Sequence, residues 1–339
     1  MSRESAKWLN QNILVGFTAE NGKPWWYIKE LQGEESTVYP GAIPVADVER
    51  RLFDWEAIRS SLYMDGVNGQ KIQIPNLNAI IHSTTGHVFQ VPKSGYVIHQ
   101  YREWLIENAR NLLDQNDLQI GSAGLLRKGG GAFVTIERPE TITSRSGVEI
   151  RPRLLCATSH DSKLASIYKF VAQIVVCDNT LEMALAENEP EVRRRHTMHS
   201  VGQINLVRKK LNMMIASSEK IVNLIDSLSE IKVSDAQWSS IVERLVPIPP
   251  KSRGQLVSRM QNKRELLDSM WRTDPRCAPW NGSGFGVFQT FNTHRHHKAG
   301  SDASRLDRNM RNILSSNSLR EDRAIFAAIR SATGSVVNN

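Results

Sequence analysis

Residues 118–200 decide the fold, and they read LQIGSAGLLRKGGGAFVTIERPE (118–140), VEIRPRLLCATSHDSKLASIYKFVAQIVVCDNTLEMAL (148–185) and EVRRRHTMHS (191–200). LQIGSAGLL and GAFVTIERP are strand-like runs joined across Arg127, Lys128 and three glycines. That pattern predicts a hairpin with a basic, glycine-rich tip. VEIRPRLLCATSH is a third strand, and period two puts Arg151 and Arg153 on one face, with Ile150, Leu154 and Cys156 on the other. SHDSK is a polar turn. YKFVAQIVVC is a fourth strand running into Asp178, Asn179 and Thr180, a set that can cap a helix beginning at LEMALAE.

The flanks follow from the same periodicities. ILVGFTAE and PWWYIKEL around Asn21-Gly22 predict a hairpin, and the Trp25–Tyr27 aromatics are better read as packing than as a stacking platform. Val45, Val48, Leu52, Trp55 and Ile58 follow a helical spacing, with Asp47 as a cap. KIQI and HVFQVP are short strands about the turn STTGH, and a helix is expected over 101–116. Beyond Pro190 the spacing predicts a long amphipathic helix from the 200s to Leu228. Further helices are expected at SDAQWSSIVERLV, at SRGQLVSRMQNKRELLDSMW and over 304–332. Residues 280–300 read as an irregular loop rich in glycine, aromatics and histidine. The expected class is α+β, with an antiparallel sheet core over 118–177 packed with helices and a mostly helical C-terminal part. Three regions are expected: an N-terminal α+β part (1–117), a central β-β-β-β-α core with a basic face (118–200) and a helical region (201–339).

Charge narrows the function. Residues 1–117 hold 11 Lys/Arg against 14 Asp/Glu, whereas the remainder holds 32 against 21, so a formal net charge of +8 arises entirely after residue 117. Basic surface of that extent attracts phosphate backbones. Cys156, Cys177 and Cys277 lie far apart with no C-x-x-C spacing, which argues for free thiols. The N-terminus has no apolar leader and no run is long enough to span a bilayer, so a cytoplasmic protein with no membrane partner is expected. Neither GxxxxGK[ST] nor a helix-opening GxGxxG occurs, so a mononucleotide substrate and a bound cofactor have no support.

The order GxLxxGG, TSHDSKLAS, VVCDNTLEMAL, RRHTMHS and WNGSGFGVFQTFNTHRHH resembles the family of phage- and plasmid-encoded proteins filed as domain of unknown function 932, over roughly residues 12–300. The resemblance implies a mobile-element protein and brings no assigned activity. Two positions depart from the family pattern. Ser162 follows the SHD block in place of glycine, and no acidic residue precedes His294, which weakens a carboxylate-assisted site there.

Two functional classes compete. The first is a nucleic-acid binder of the single-strand annealing and recombination kind, acting on single-stranded DNA as a homo-oligomer. Its backbone track would use Arg127, Lys128, Arg151, Arg153, Lys163, Lys169, Arg193, Arg194 and Arg195. The second is an enzyme, a metal-dependent nuclease or another phosphodiester enzyme, built on His160, Asp161, His196 and the triplet His294, His296 and His297. The triplet has no carboxylate beside it, so no metal and no catalytic residue are assigned. His160, Asp161, Asn179 and His196 are instead expected to form a polar network at the strand ends. His82, His87 and His99 show no paired spacing and read as loop or surface residues. A third possibility, an interaction protein acting against a host defence system, has no sequence signature.

Overall fold

The computed structural model describes residues 3–24, 26–93, 95–107, 118–137, 141–174, 179–181, 192–194, 196, 219–250, 254–300, 308 and 317–335. In chain order the elements are α1 (Arg3–Asn12), β1 (Ile13–Val15), α2 (Val45–Leu52), β2 (Ala57–Asp65), β3 (Lys71–His82), β4 (Val88–Gln90), β5 (Gln119–Leu126), β6 (Gly131–Glu137) and β7 (Ile142–Thr143). Then follow β8 (Glu149–Ser159), β9 (Ser166–Ile174), β10 (Asn179–Leu181), β11 (Val192–Arg194), α3 (219–230), α4 (Asp235–Leu245), α5 (Gln255–Thr273), α6 (Gly284–Thr293) and α7 (Asn317–Thr333). The class is α+β. Two compact units form, one from residues 1–139, 153–170 and 190–214, the other from 140–152, 171–189 and 215–339.

The first unit is built on an antiparallel sheet in the order β1-β5-β6-β8-β9, with β11 on β9. The four runs expected between 118 and 177 are its central strands. Every residue of β6 is buried, so this strand is covered on both faces, which is why GAFVTI lacks a polar alternation. Ile120, Val134, Ile136, Leu154 and Cys156 pack with Leu14 of β1, Val48 and Leu52 of α2, and Leu105 and Ile106 of a π-helical turn at Arg102–Glu107. A second sheet, β2-β3-β4, contains a long ribbon whose Tyr63, Met64 and Val67 are exposed.

Several local expectations in this unit are overturned. The chain before residue 24 forms no hairpin. α1 leads instead into the three residues of β1, which pair with β5, and Lys29–Leu31 is a 3-10 turn. The helix begun at Val45 stops at Leu52, where the Trp55 indole Nε1 donates to the Leu52 carbonyl at 3.0 Å, and Ile58 lies on β2. The expected helix over 101–116 is represented by the π-helical turn, and 108–117 lie outside the described residues.

The second unit is mainly helical. β7 pairs with the first residues of β8, and Asn179–Leu181 forms a strand antiparallel to Ile174–Ala172, so Asn179 is not a helix cap. Asp178 and 182–190 lie outside the described residues, as does most of the long helix expected from the 200s, of which 219–230 is seen. At α4 the Ser234 hydroxyl accepts from the Gln237 amide, while the Gln237 side chain accepts from the Ser234 amide. Trp238 and Trp271 stack at 4.5 Å at the centre of this unit.

The region 280–300 is not a loop. α6 is buried along nearly its whole length and continues into a π-helical turn, His294–Lys298. Its glycines serve close packing, since a Cβ at Gly286 would lie 2.0 Å from the Trp280 carbonyl oxygen. A Gly286→Ala variant is therefore expected to lose about 3 kcal/mol or more of unfolding free energy in urea titration, because backbone cannot yield as a side chain does. A loss below about 1 kcal/mol would show that the Trp280 turn can move aside. No described helix is long and apolar enough to cross a membrane.

Candidate functional site

Two turns of the first unit are stitched together. The β5–β6 turn takes Arg127 (φ 49°) and Lys128 (φ 57°) into the left-handed region, which L residues enter only at a cost. An ion pair anchors Arg127. Arg127 Nε donates to Asp161 Oδ2 at 2.6 Å and Nη2 donates to Oδ1 at 3.1 Å. The amides of His160 and Asp161 both donate to the Gly130 carbonyl, at 2.9 and 3.2 Å. A Cβ at Gly130 would sit 2.9 Å from Asp161 Oδ2, and one at Gly131 would sit 2.6 Å from Arg127 Nη2. The glycine run thus clears room for the fork. Burial pushes the Asp161 carboxyl up, but the hydrogen bond and charge of Arg127, with hydrogen bonds from the Lys163 amide and the Ser159 side chain, together outweigh it and hold the group below the ordinary carboxylate range. Lys128 and Lys163 stand exposed on the two turns.

Rings converge beside these turns. Trp55 stacks on His82 at 3.9 Å and meets Phe89 at 5.7 Å, and His87 packs edge-on to Phe89 at 5.4 Å. A Cβ at Gly129 would touch the Trp55 ring at 3.4 Å, so the hairpin tip lies directly against the cluster. Trp55, His82 and Phe89 are half-buried and His87 is exposed. His160 lies beneath them, 1% exposed, stacked on Tyr101 at 4.0 Å, and the Tyr101 hydroxyl donates to the Gly129 carbonyl at 2.7 Å. Among the described residues neither ring nitrogen of His160 has a hydrogen-bond partner. Burial drives its pKa down to about 3, so the imidazole is neutral.

A second stack orders Tyr96, His196, His99 and Trp104 at successive spacings of 4.9, 4.1 and 4.0 Å. His99 is fully buried, not a surface residue. Its Nδ1 lies 2.6 Å from the Ser166 hydroxyl, which lies 2.7 Å from that of Thr158, and burial takes its pKa to about 3. His196 Nδ1 must donate to the Val97 carbonyl at 3.1 Å, since a carbonyl only accepts, and burial lowers its pKa too.

The basic residues named from sequence scatter. Arg127 is engaged by Asp161. Arg153 donates to Glu137 Oε2 at 2.5 Å across the β6–β8 register, and Arg151, in the second unit, is buried with Nε 3.3 Å from Thr141 Oγ1. Each guanidinium is thus drawn to an acceptor that the neighbouring segment offers, Glu137 for Arg153 and Thr141 for Arg151. Lys169 is half-buried. Arg193 and Arg194 lie on β11, and Arg195 lies outside the described residues.

In the second unit His294 and Lys263 repel, and burial with that repulsion takes the His294 pKa to about 4. Arg295 of the same turn reaches Asp322 and Asn292, both at 2.8 Å. Among the described residues no three His, Cys, Asp or Glu side chains converge as a metal-holding group. The sequence reading missed the ring cluster altogether. Trp55, His82, Phe89 and Tyr101 carry no shared spacing, and their common place at the ends of short elements is the only signal they leave.

Residues 88–323, more than half of the chain, match the family model described as Domain of unknown function (DUF932). No curated protein and no solved structure matches.

Proposed function

We propose, for a chain that belongs to the DUF932 family, that it binds single-stranded nucleic acid at the ring cluster of its first unit. The observation that carries this reading is the meeting of accessible rings with exposed cations: half-buried Trp55, His82 and Phe89 and exposed His87 beside Lys128 and Lys163. Stacking of an unpaired base on such rings contributes about 1–3 kcal/mol per base and tolerates any sequence, because every base has a π-face. The lysines meet phosphates on either side. Bases on either side of the cluster keep their edges outward, which suits a protein that presents one strand for pairing with another.

Self-association extends the track in this reading. Among the described residues β2 presents an open edge, and the ribbon 57–82 carries only Arg59, Asp65 and Lys71 as charged side chains. It is a stretch where two copies of a +8 chain can approach without strong repulsion. A nuclease has less support, since Asp161 is committed to Arg127.

The test is anisotropy of labelled 20-nucleotide strands from about 50 to 200 mM salt, where phosphate contacts weaken steeply. The Lys128→Glu/Lys163→Glu variant is expected to bind about 10–100-fold more weakly and to flatten the log–log salt slope by about 1.4, two phosphates' worth. Affinity and slope equal to wild type would overturn the proposal. Light scattering on the same complexes tests assembly, and one copy per strand at every strand length would remove that part.

A further inference from the structure

His160 is held at a cost to the fold. Its imidazole is 1% exposed among Trp55, Phe89 and Tyr101, with centroids 5.8, 5.7 and 4.0 Å away, and neither nitrogen is hydrogen-bonded among the described residues. Buried polar atoms without partners are destabilising, and an apolar side chain of like volume would fill this aromatic nest with nothing left unmet. Packing therefore does not explain a histidine here, nor does a polar network, since the expected partner Asp161 turns its carboxylate to Arg127. The surroundings make it a reserved hydrogen-bonding edge. A neutral imidazole offers one N–H donor and one lone pair.

We propose that His160 reads a nucleobase: a base entering the ring cluster stacks there and hydrogen-bonds to the His160 imidazole through its edge. Phe89, one of the rings packed on His160, is only half-buried, and the proposal requires its side chain to rotate so that a base reaches the imidazole. Desolvated walls strengthen such a bond, and a ligand lacking the matching groups leaves the imidazole unmet again. This inference rests on the nucleic-acid reading and adds a recognised group to it: the lysines hold backbone, whereas His160 contacts bases.

The experiment compares a 20-nucleotide strand with an abasic strand of equal length, against wild type, His160→Leu, His160→Gln and the double lysine variant. His160→Leu is expected to melt at or above the wild-type temperature, yet to bind the base-containing strand about tenfold or more weakly, with no change on the abasic strand. His160→Gln, which restores a donor and an acceptor, is expected to recover part of the loss. Wild-type affinity in His160→Leu would overturn the inference while leaving the lysine effect, and so the nucleic-acid reading, intact. A His160→Leu protein that melts well below wild type would overturn it too, since the ring would then be a structural necessity. Absence of binding by the wild type to either strand would sink both.

Discussion

Arg153→Ala is expected to lower the unfolding free energy by about 3–5 kcal/mol, the usual consequence of removing a guanidinium from beside a buried carboxylate. The Glu137 side chain is fully buried and that of Arg153 retains 16% exposure, so the carboxylate left behind has little access to water. The slot that holds it is cut to size, since a Cβ at Gly121 would fall 1.6 Å from Glu137 Oε1. Removing the charge as well, in Arg153→Ala/Glu137→Gln, is expected to return part of the loss, because a neutral amide is less costly to bury than a carboxylate. Urea titration of the three proteins measures both effects. A phosphate-binding arginine would show the opposite profile, with stability untouched and affinity reduced. A loss below about 1 kcal/mol would mean that the pair is screened as surface pairs are.

Acid is expected to unfold the protein well before its carboxylates are fully protonated. His99 and His160 have folded pKa values of about 3 against an ordinary 6.5. Between those limits the unfolded chain binds more protons than the folded one, so stability falls as pH falls. Each histidine contributes a slope of about 1.4 kcal/mol per pH unit once well inside the window. From pH 6.5 to 4.5 the pair costs roughly 5 kcal/mol, comparable with the whole stability of many domains. His196, shifted in the same direction, adds to the loss. Asp161 adds its own only as pH falls below the ordinary carboxylate range, because its pKa is depressed. Denaturant titrations at half-unit pH steps measure the slope, and His160→Leu should flatten it by one histidine's share. A level profile from pH 6.5 to 4.5 would mean that these imidazoles are solvated.

The parts of the fold legible from sequence are those governed by neighbours in the chain. β5, β6, β8 and β9 announce themselves as apolar runs punctuated by glycine and polar turns. α4 announces itself by Ser234 and Gln237, three residues apart. Glycine misled where it had a second use: in residues 280–300 it reads as turn chemistry, but Gly284 and Gly286 let a buried helix approach other backbone. The Asn179–Leu181 segment misled for the converse reason. Its polar residues suit a cap, and pairing with β9 overrode that local preference. Little of the candidate site was legible, because the ring cluster joins residues from 55 to 160.

Charge excess, the antiparallel hairpin core and family membership are all properties of local residue pattern, and composition and spacing carry them without reference to any partner. The fate of each charge is different in kind. Arg127, Arg151 and Arg153 look alike in the chain beside Lys128 and Lys163, yet the first three meet acceptors within the fold and the two lysines face solvent. A guanidinium has five donors and binds whichever carboxylate the fold carries past it, so its role depends on contacts between residues tens of positions apart. The same holds for His160, whose isolation among rings exists only once β8, the hairpin tip and the Trp55 segment have been brought together.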